Sequence, residues 1–258
     1  MKKNRKYGLI GKNIDYSFSK KFFSEKFEKE NLNCIYSNFD IENISHVKSI
    51  LQDDTINGFN VTIPYKEEIL KFLDEIDEAA KTIGAVNTIK KINNKYIGFN
   101  TDFIGFEKSL IGLIENKKPE NALILGSGGA SKAVKYVLNK LNINYSTVSR
   151  KSGKSEFIYE NLNNEIINSF KLIINCSPVG TYPNINDSPN IPYEYLTEDH
   201  ILYDLIYNPA ETLFLKKGRT SGCKIKNGLE MLEVQANEAW RIWNSSVSYT
   251  HLRAHETP

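Results

Sequence analysis

A chain of 258 residues, 40 % apolar and 25 % charged, can bury one large core or two smaller ones, and its composition is that of a soluble globular protein. A net charge of +2 sets up no field that would draw nucleic acid or a membrane. No apolar run approaches the roughly 20 residues that span a bilayer, and the apolar part of "MKKNRKYGLIGKN" is too short for a secretory leader.

In chain order, "KYGLIG" reads as a strand, Lys20 to Glu30 as a helix, "CIYSNFDI" as a strand and Asn43 to Leu51 as a second helix, the βαβ rhythm of a mostly parallel sheet. In "GFNVTIPYKEEIL", Phe59, Val61 and Ile63 alternate with Asn60 and Thr62, so one strand face is apolar and the other can turn an amide and a hydroxyl to a ligand. Pro64 suits the first position of a helix continued by Glu67, Glu68, Ile69, Leu70 and Leu73. Lys66 would then sit in a first helical turn, where the macrodipole disfavours a cation. "AVNTIKKINNKYIGFN" reads as a hairpin turning near Asn93-Asn94, and a helix is predicted from about Asp102 to Ile114.

"KKPENALILGSGGASKAVKYVLNKLNINYSTVSR" follows as strand, glycine turn, helix and strand. Gly126, Gly128 and Gly129, with a strand before, a helix after and a second strand about 20 residues on, let the backbone turn tightly and approach a pyrophosphate at a helix N-terminus, the alternative being a plain strand–helix turn. The second strand ends in "TVSRKS" instead of the acidic residue that would hold a ribose 2′-hydroxyl. Ser149, Arg150, Lys151 and Ser152 suit a 2′-phosphate, hence NADP over NAD, unless they form only a solvated basic turn. Further strands are predicted at "KLIINCS", "HILYDLI" and "CKIKN", and a last helix at "LEMLEVQANEAWRIW". The expected domains are 1–102 with 228–244, and a nucleotide-binding domain at 103–227, the final helix packing back on the N-terminal half. Residues 245–258, "SSVSYTHLRAHETP", resemble a non-native or disordered tail.

A dinucleotide-linked alcohol oxidation needs a side chain to handle the proton. Outside the tail only His46 and His200 remain, neither in a polar constellation, and the pairs Tyr16/Lys20 and Tyr136/Lys140 match a known spacing by chance. Lys66 fits better: a free lysine needs about 4.6 kcal/mol to become neutral at pH 7, and burial or a helix N-terminus lowers that figure. Asp102 is either the cap of its helix or a partner that titrates with Lys66 as a unit. Gln235 lies on the apolar stripe of the last helix, so its amide must bond either a ligand or the backbone. Ser17 and Ser19 also fit as helix caps. Cys34, Cys176 and Cys223 form no CxxC pair and fit reduced thiols in a cytoplasm, with no metal site.

Together "YSFSKKFF", "GFNVTIPYK", "IGAVNT", "GFNTD", "GSGGAS", "VSRK", "NCSPVGTYP", "YDLIYNP" and "NGLEMLEVQA", in this order from about residue 7 to 243, resemble the shikimate dehydrogenase family. The resemblance implies NADPH-dependent reduction of 3-dehydroshikimate to shikimate, on the way to chorismate and the aromatic amino acids. It also implies Lys66 and Asp102 as catalytic pair and Ser17 and Ser19 at the substrate carboxylate with Tyr207 close by. Thr62, Asn87 and Gln235 would meet the ring hydroxyls. Cofactor positions would be Glu78, Gly126, Ser127, Gly128, Gly129, Ala130, the segment from Ser149 through Arg150 and Lys151 to about Lys154, Leu205 and Gly228. The chain departs from many relatives at Lys20, where they carry proline, and at Ser149-Arg150-Lys151, where they carry Asn-Arg-Thr. Two rivals fit the same motifs: a paralogue that accepts quinate with NAD or NADP, and an inactive nucleotide-binding regulator. Monomer and homodimer are both compatible with the family.

Overall fold

Aromatic and β-branched runs bounded by polar turns give the first half its strands. β1 (Arg5–Gly11), α1 (Phe18–Lys29), β2 (Cys34–Asp40), a 3-10 turn at Ile44–His46 running into α2 (Val47–Leu51), and β3 (Ile56–Val61) come first in the computed structural model, which describes residues 4–15, 17–114, 117–150, 153 and 155–245. β4 (Glu75–Ile76), α3 (Glu78–Ile83), β5 (Thr88–Ile92) and β6 (Lys95–Phe99) complete a six-stranded sheet of order β2-β1-β3-β5-β6-β4. β1 runs parallel to β2 and β3, while β3, β5 and β6 are successively antiparallel. The β5–β6 turn places Asn93 and Asn94 at φ 49° and 62°, which asparagine tolerates and a two-residue hairpin turn requires.

Register decides what this sheet presents at its edge. Asn60 lies opposite Thr88, and Thr88 opposite Phe99. The residues just after β3, just before β5 and just after β6 therefore emerge together: Thr62 to Lys66, Asn87, and Asn100 to Asp102.

α4 (Asp102–Ile114) leads to β7 (Asn121–Leu125), α5 (Gly129–Lys140), β8 (Asn144–Ser149), β9 (Phe157–Ile158), α6 (Asn164–Ser169), β10 (Leu172–Asn175), β11 (Ile201–Asp204), α7 (Leu213–Thr220) and β12 (Lys224–Lys226). These strands form an all-parallel sheet of order β9-β8-β7-β10-β11-β12. The order reverses direction between β7 and β10, and ligands of such doubly wound sheets bind beyond the carboxyl ends of the strands at that switch. Ala122 to Leu125, Leu172 to Ile174, and Leu202 with Tyr203 are buried, as befits strands covered on both faces.

α8 (Leu229–Asn244) starts beside this second sheet and returns to the first. The Trp243 indole N–H donates to the Ile89 carbonyl at 3.0 Å, and its ring stacks on Tyr7 with centroids 4.7 Å apart, next to Phe23 and Tyr36. Burying each such ring stabilises the fold by roughly 2–3 kcal/mol, which holds the C-terminal helix on the N-terminal half. A side chain at Gly105 would run into the Met231 carbonyl, so that glycine sets how closely α4 and α8 approach. The architecture is α/β in two parts, an N-terminal α/β unit and a Rossmann-like unit.

The segment after Pro64 differs from expectation. No α-helix forms: residues 63–67 are successive turns, followed by a 3-10 helix at Glu68–Phe72. The Lys66 carbonyl, which a helix would offer four residues on, accepts from the Val86 amide at 2.8 Å instead. Lys66 therefore does not lie in the first turn of an α-helix. The α1 helix starts two residues before the expected Lys20, and β4, α3, β9, α6 and α7 lacked a legible pattern. Among the described residues no helix is long and apolar enough to cross a membrane. The tail from 246, together with Tyr16, Lys151, Ser152 and Lys154, lies outside the described residues.

Candidate active site

The edge of the first sheet carries a closed polar network. Lys66 Nζ donates to Asp102 Oδ2 at 2.7 Å, with the two side chains only 17 % and 9 % exposed. Asn87 Nδ2 donates to Asp102 Oδ1 at 2.9 Å, and Asn87 Oδ1 accepts from the Thr101 amide at 2.7 Å, which fixes the orientation of the asparagine. Gln235 Oε1 accepts from Thr101 Oγ1 at 3.3 Å and from Asn87 at 3.4 Å, while its Nε2 donates to the Leu232 carbonyl at 3.0 Å. Gln235 thus satisfies itself partly on its own helix and partly on the network, joining α8 to the ends of β5 and β6.

Asp102 is free for Lys66 because it does not cap α4. Asn100 Oδ1 accepts the Phe103 amide at 3.3 Å, and Asn100 Nδ2 donates to the Ala85 carbonyl at 2.9 Å. With two oxygens holding an ammonium and an amide, Asp102 presents a carboxylate–ammonium pair that can donate, accept and relay a proton. Thr101 and Asn100 were not singled out in the sequence, although "GFNTD" places both directly before Asp102.

Asn60 does not join a ligand site. β3 is covered on both faces, and the Asn60 side chain is used up by the Tyr36 hydroxyl at 2.8 Å, the Asn87 carbonyl at 3.2 Å and Thr88 Oγ1 at 3.2 Å. Thr62, half-buried beyond the strand end, packs against Gly11. Ser17, not Ser19, caps α1, accepting from the Lys20 amide at 3.4 Å and donating to Asn38 Oδ1 at 3.2 Å. Ser19 lies in the first turn, and burial strongly opposes ionisation of the Tyr36 phenol. Tyr207 reaches over from beyond β11, its ring edge-on to Phe18 at 5.4 Å, and burial raises its pKa.

The opposing edge belongs to the second sheet. Gly126, at φ 103°, sits where a Cβ would come within 3.2 Å of the Ser177 amide, so the chain can turn there only as glycine. Gly128 and Gly129 open the 12-residue α5, and nothing stands within 4 Å of a Cβ at Gly128. The turn through Ser127 to Ala130 is thus a backbone cradle at a helix N-terminus, the arrangement that receives phosphate. Ser149 and exposed Arg150 lie at the end of β8, the Ser149 hydroxyl 2.8 Å from that of Ser155. Leu205 follows β11, and Gly228 is pressed so closely on the Leu205 carbonyl that no side chain fits between them. Glu78 is exposed in the first turn of α3, whose Ile83 packs with Ala133 of α5.

Phe18 with Tyr207, and an ion pair of Glu67 with Lys132 at 2.6 Å, also join these two edges. The sequence family described as the shikimate dehydrogenase substrate binding domain matches residues 9–89. The NADP(+)-type shikimate dehydrogenase of Methanococcus aeolicus is 40 % identical over 257 residues, covering 93 % of this chain and 92 % of its own length. This chain belongs to the shikimate dehydrogenase family. Among solved members of the fold, shikimate 5-dehydrogenase of Thermus thermophilus, in complex with NADP(H) and shikimate, superposes with a TM-score of 0.82 at 28 % identity, over 93 % of each chain. Quinate dehydrogenase of Corynebacterium glutamicum, in complex with NAD, gives the same 0.82 at 25 % identity, over 93 % of this chain and 94 % of that one. The Phe18–Tyr207 and Glu67–Lys132 contacts bring the end of the first sheet close to the glycine turn of the second, while Lys151 lies outside the described residues.

Proposed function

We propose that this protein is an NADP-dependent shikimate dehydrogenase, catalysing the reversible reduction of 3-dehydroshikimate to shikimate. The observation that carries the reading is the Lys66–Asp102 pair, preformed at 2.7 Å on the edge that faces a glycine cradle. The 40 % identity to an NADP(+)-type shikimate dehydrogenase over 93 % of the chain supports shikimate and NADP over quinate and NAD.

In this reading residues 1–102 and 228–244 form the substrate domain and 103–227 the cofactor domain. Ser17, Ser19 and Tyr207 would hold the substrate carboxylate, and Thr62, Asn87 and Gln235 the ring hydroxyls. The glycine turn of Gly126 to Ala130 fits a pyrophosphate, Arg150 with Ser149 a 2′-phosphate, and Glu78, Leu205 and Gly228 the remainder of the dinucleotide. When bound, the nicotinamide supplies the hydride chemistry. The protein's own contribution is the proton: Lys66 and Asp102 hold the substrate oxygen and deliver or remove its proton as a coupled unit. Packing between the two edges positions the reacting groups and keeps water out. The unpaired thiols Cys34, Cys176 and Cys223 suit the reducing cytoplasm.

Initial rates of reduced-cofactor formation with shikimate or quinate, each with NADP or NAD, test the reading. Turnover of shikimate with NADP should exceed the other three combinations; strict NAD dependence would overturn the cofactor assignment, and preference for quinate the substrate.

A further inference from the structure

The Glu67–Lys132 pair stands at an informative place. Glu67 follows Lys66 in the turn beyond β3, and Lys132 projects from the first turn of α5, directly behind the glycine cradle. Glu67 Oε1 lies 3.8 Å from the position of a Cβ on Gly129, so its carboxylate sits at the open N-terminus of α5, where exposed amides and the helix dipole favour an anion. Its companion oxygen holds Lys132 Nζ at 2.6 Å, with both side chains partly exposed, at 49 % and 37 %. A pair this open to water is weak and exchangeable.

Building on the cofactor reading above, we propose that Glu67 is a resident anion and Lys132 a pyrophosphate-binding cation. On cofactor binding, the pyrophosphate takes the place of the Glu67 carboxylate at the α5 N-terminus, and Lys132 exchanges one oxyanion for another. Lys132 thereby joins the cofactor site, and Glu67 sets a threshold for entry. Because Glu67 adjoins Lys66, the exchange also releases the turn that carries the catalytic lysine from its tie to α5.

A tie that merely held the two units together would be cut equally by substituting either partner. Partner exchange moves the two variants in opposite directions. Dissociation constants for NADPH and NADH, measured by titration of the full-length protein, decide between them, because both nucleotides carry the pyrophosphate and only NADPH the 2′-phosphate. Lys132→Met should weaken both about fivefold, and Glu67→Gln should tighten both about twofold. Arg150→Ala, as the control, should weaken NADPH alone. The inference is overturned if Lys132→Met changes neither constant or only that for NADPH, or if both variants shift binding the same way. Wild-type protein that binds neither nucleotide would remove the cofactor reading itself, and this inference with it.

Discussion

The two edges of the crevice are built on opposite plans. On the proposed substrate side the groups that would do chemistry are buried or, for Lys66, nearly so, and already bonded to one another: Lys66, Asp102, Asn87, Thr101 and Gln235 form a connected set. On the proposed cofactor side the surface is a glycine-rich turn at Gly126 to Gly129, with exposed Arg150 and the partly exposed Lys132. The difference follows from burial. A buried polar group must find its partners within the protein, so the substrate edge is organised before any ligand arrives. Exposed cations and free amides are satisfied by water until a phosphate replaces it. Orientation is thus fixed where bonds are made, and left adjustable where a charged ligand need only be held.

Breaking the substrate edge should give the largest effect. Asp102→Ala removes the acceptor of both the Lys66 ammonium and the Asn87 amide, and should lower unfolding free energy by roughly 3 kcal/mol in urea titration. An unchanged midpoint would show that the network is not preorganised.

The second unit also holds a buried carboxylate, Asp204. The Asp204 carboxylate accepts from Thr212 Oγ1 at 2.6 Å and from Asn175 Nδ2 and the Ile206 amide at 3.0 Å each, pinning the loop that carries Leu205 and Tyr207. Burial outweighs these bonds and raises its pKa from 3.8 to about 6. The folded state therefore binds this proton more tightly than the unfolded chain. The Asp204 contribution to stability is greatest at low pH, falls as pH rises from about 4 to about 6, and is level above, a change on the order of 2–3 kcal/mol. Asp204→Asn, which keeps the shape, should remove that part of the pH dependence in paired denaturation curves; identical slopes in both proteins would refute it.

The smallest effect belongs to the exposed cation. Arg150→Ala should raise the Michaelis constant for NADP about tenfold and leave that for NAD unaltered; equal changes would place Arg150 away from the 2′-phosphate.

What the sequence made legible divides along the same line. The strand at β3, the paired asparagines of the hairpin and the strand–glycine–helix run at Ala122 to Ser131 are local signals, and the structure follows them, whereas Ile63, read as part of the apolar face, lies beyond the strand and is exposed. The turn holding Lys66 was misread as a helix because its deciding bond goes to Val86, 20 residues away, and no local pattern reports it. Asn60 looked ligand-facing because alternation does not say whether a second layer covers the polar face. Glu67 and Lys132, and Asp204 with Asn175 and Thr212, meet only through tertiary packing.

In the proposed reaction Lys66 handles the proton at the substrate oxygen. Steady-state kinetics of Lys66→Ala with shikimate and NADP test it most directly. Turnover should fall about 10²-fold or more with little change in the Michaelis constant for shikimate. Wild-type turnover in that variant would contradict it.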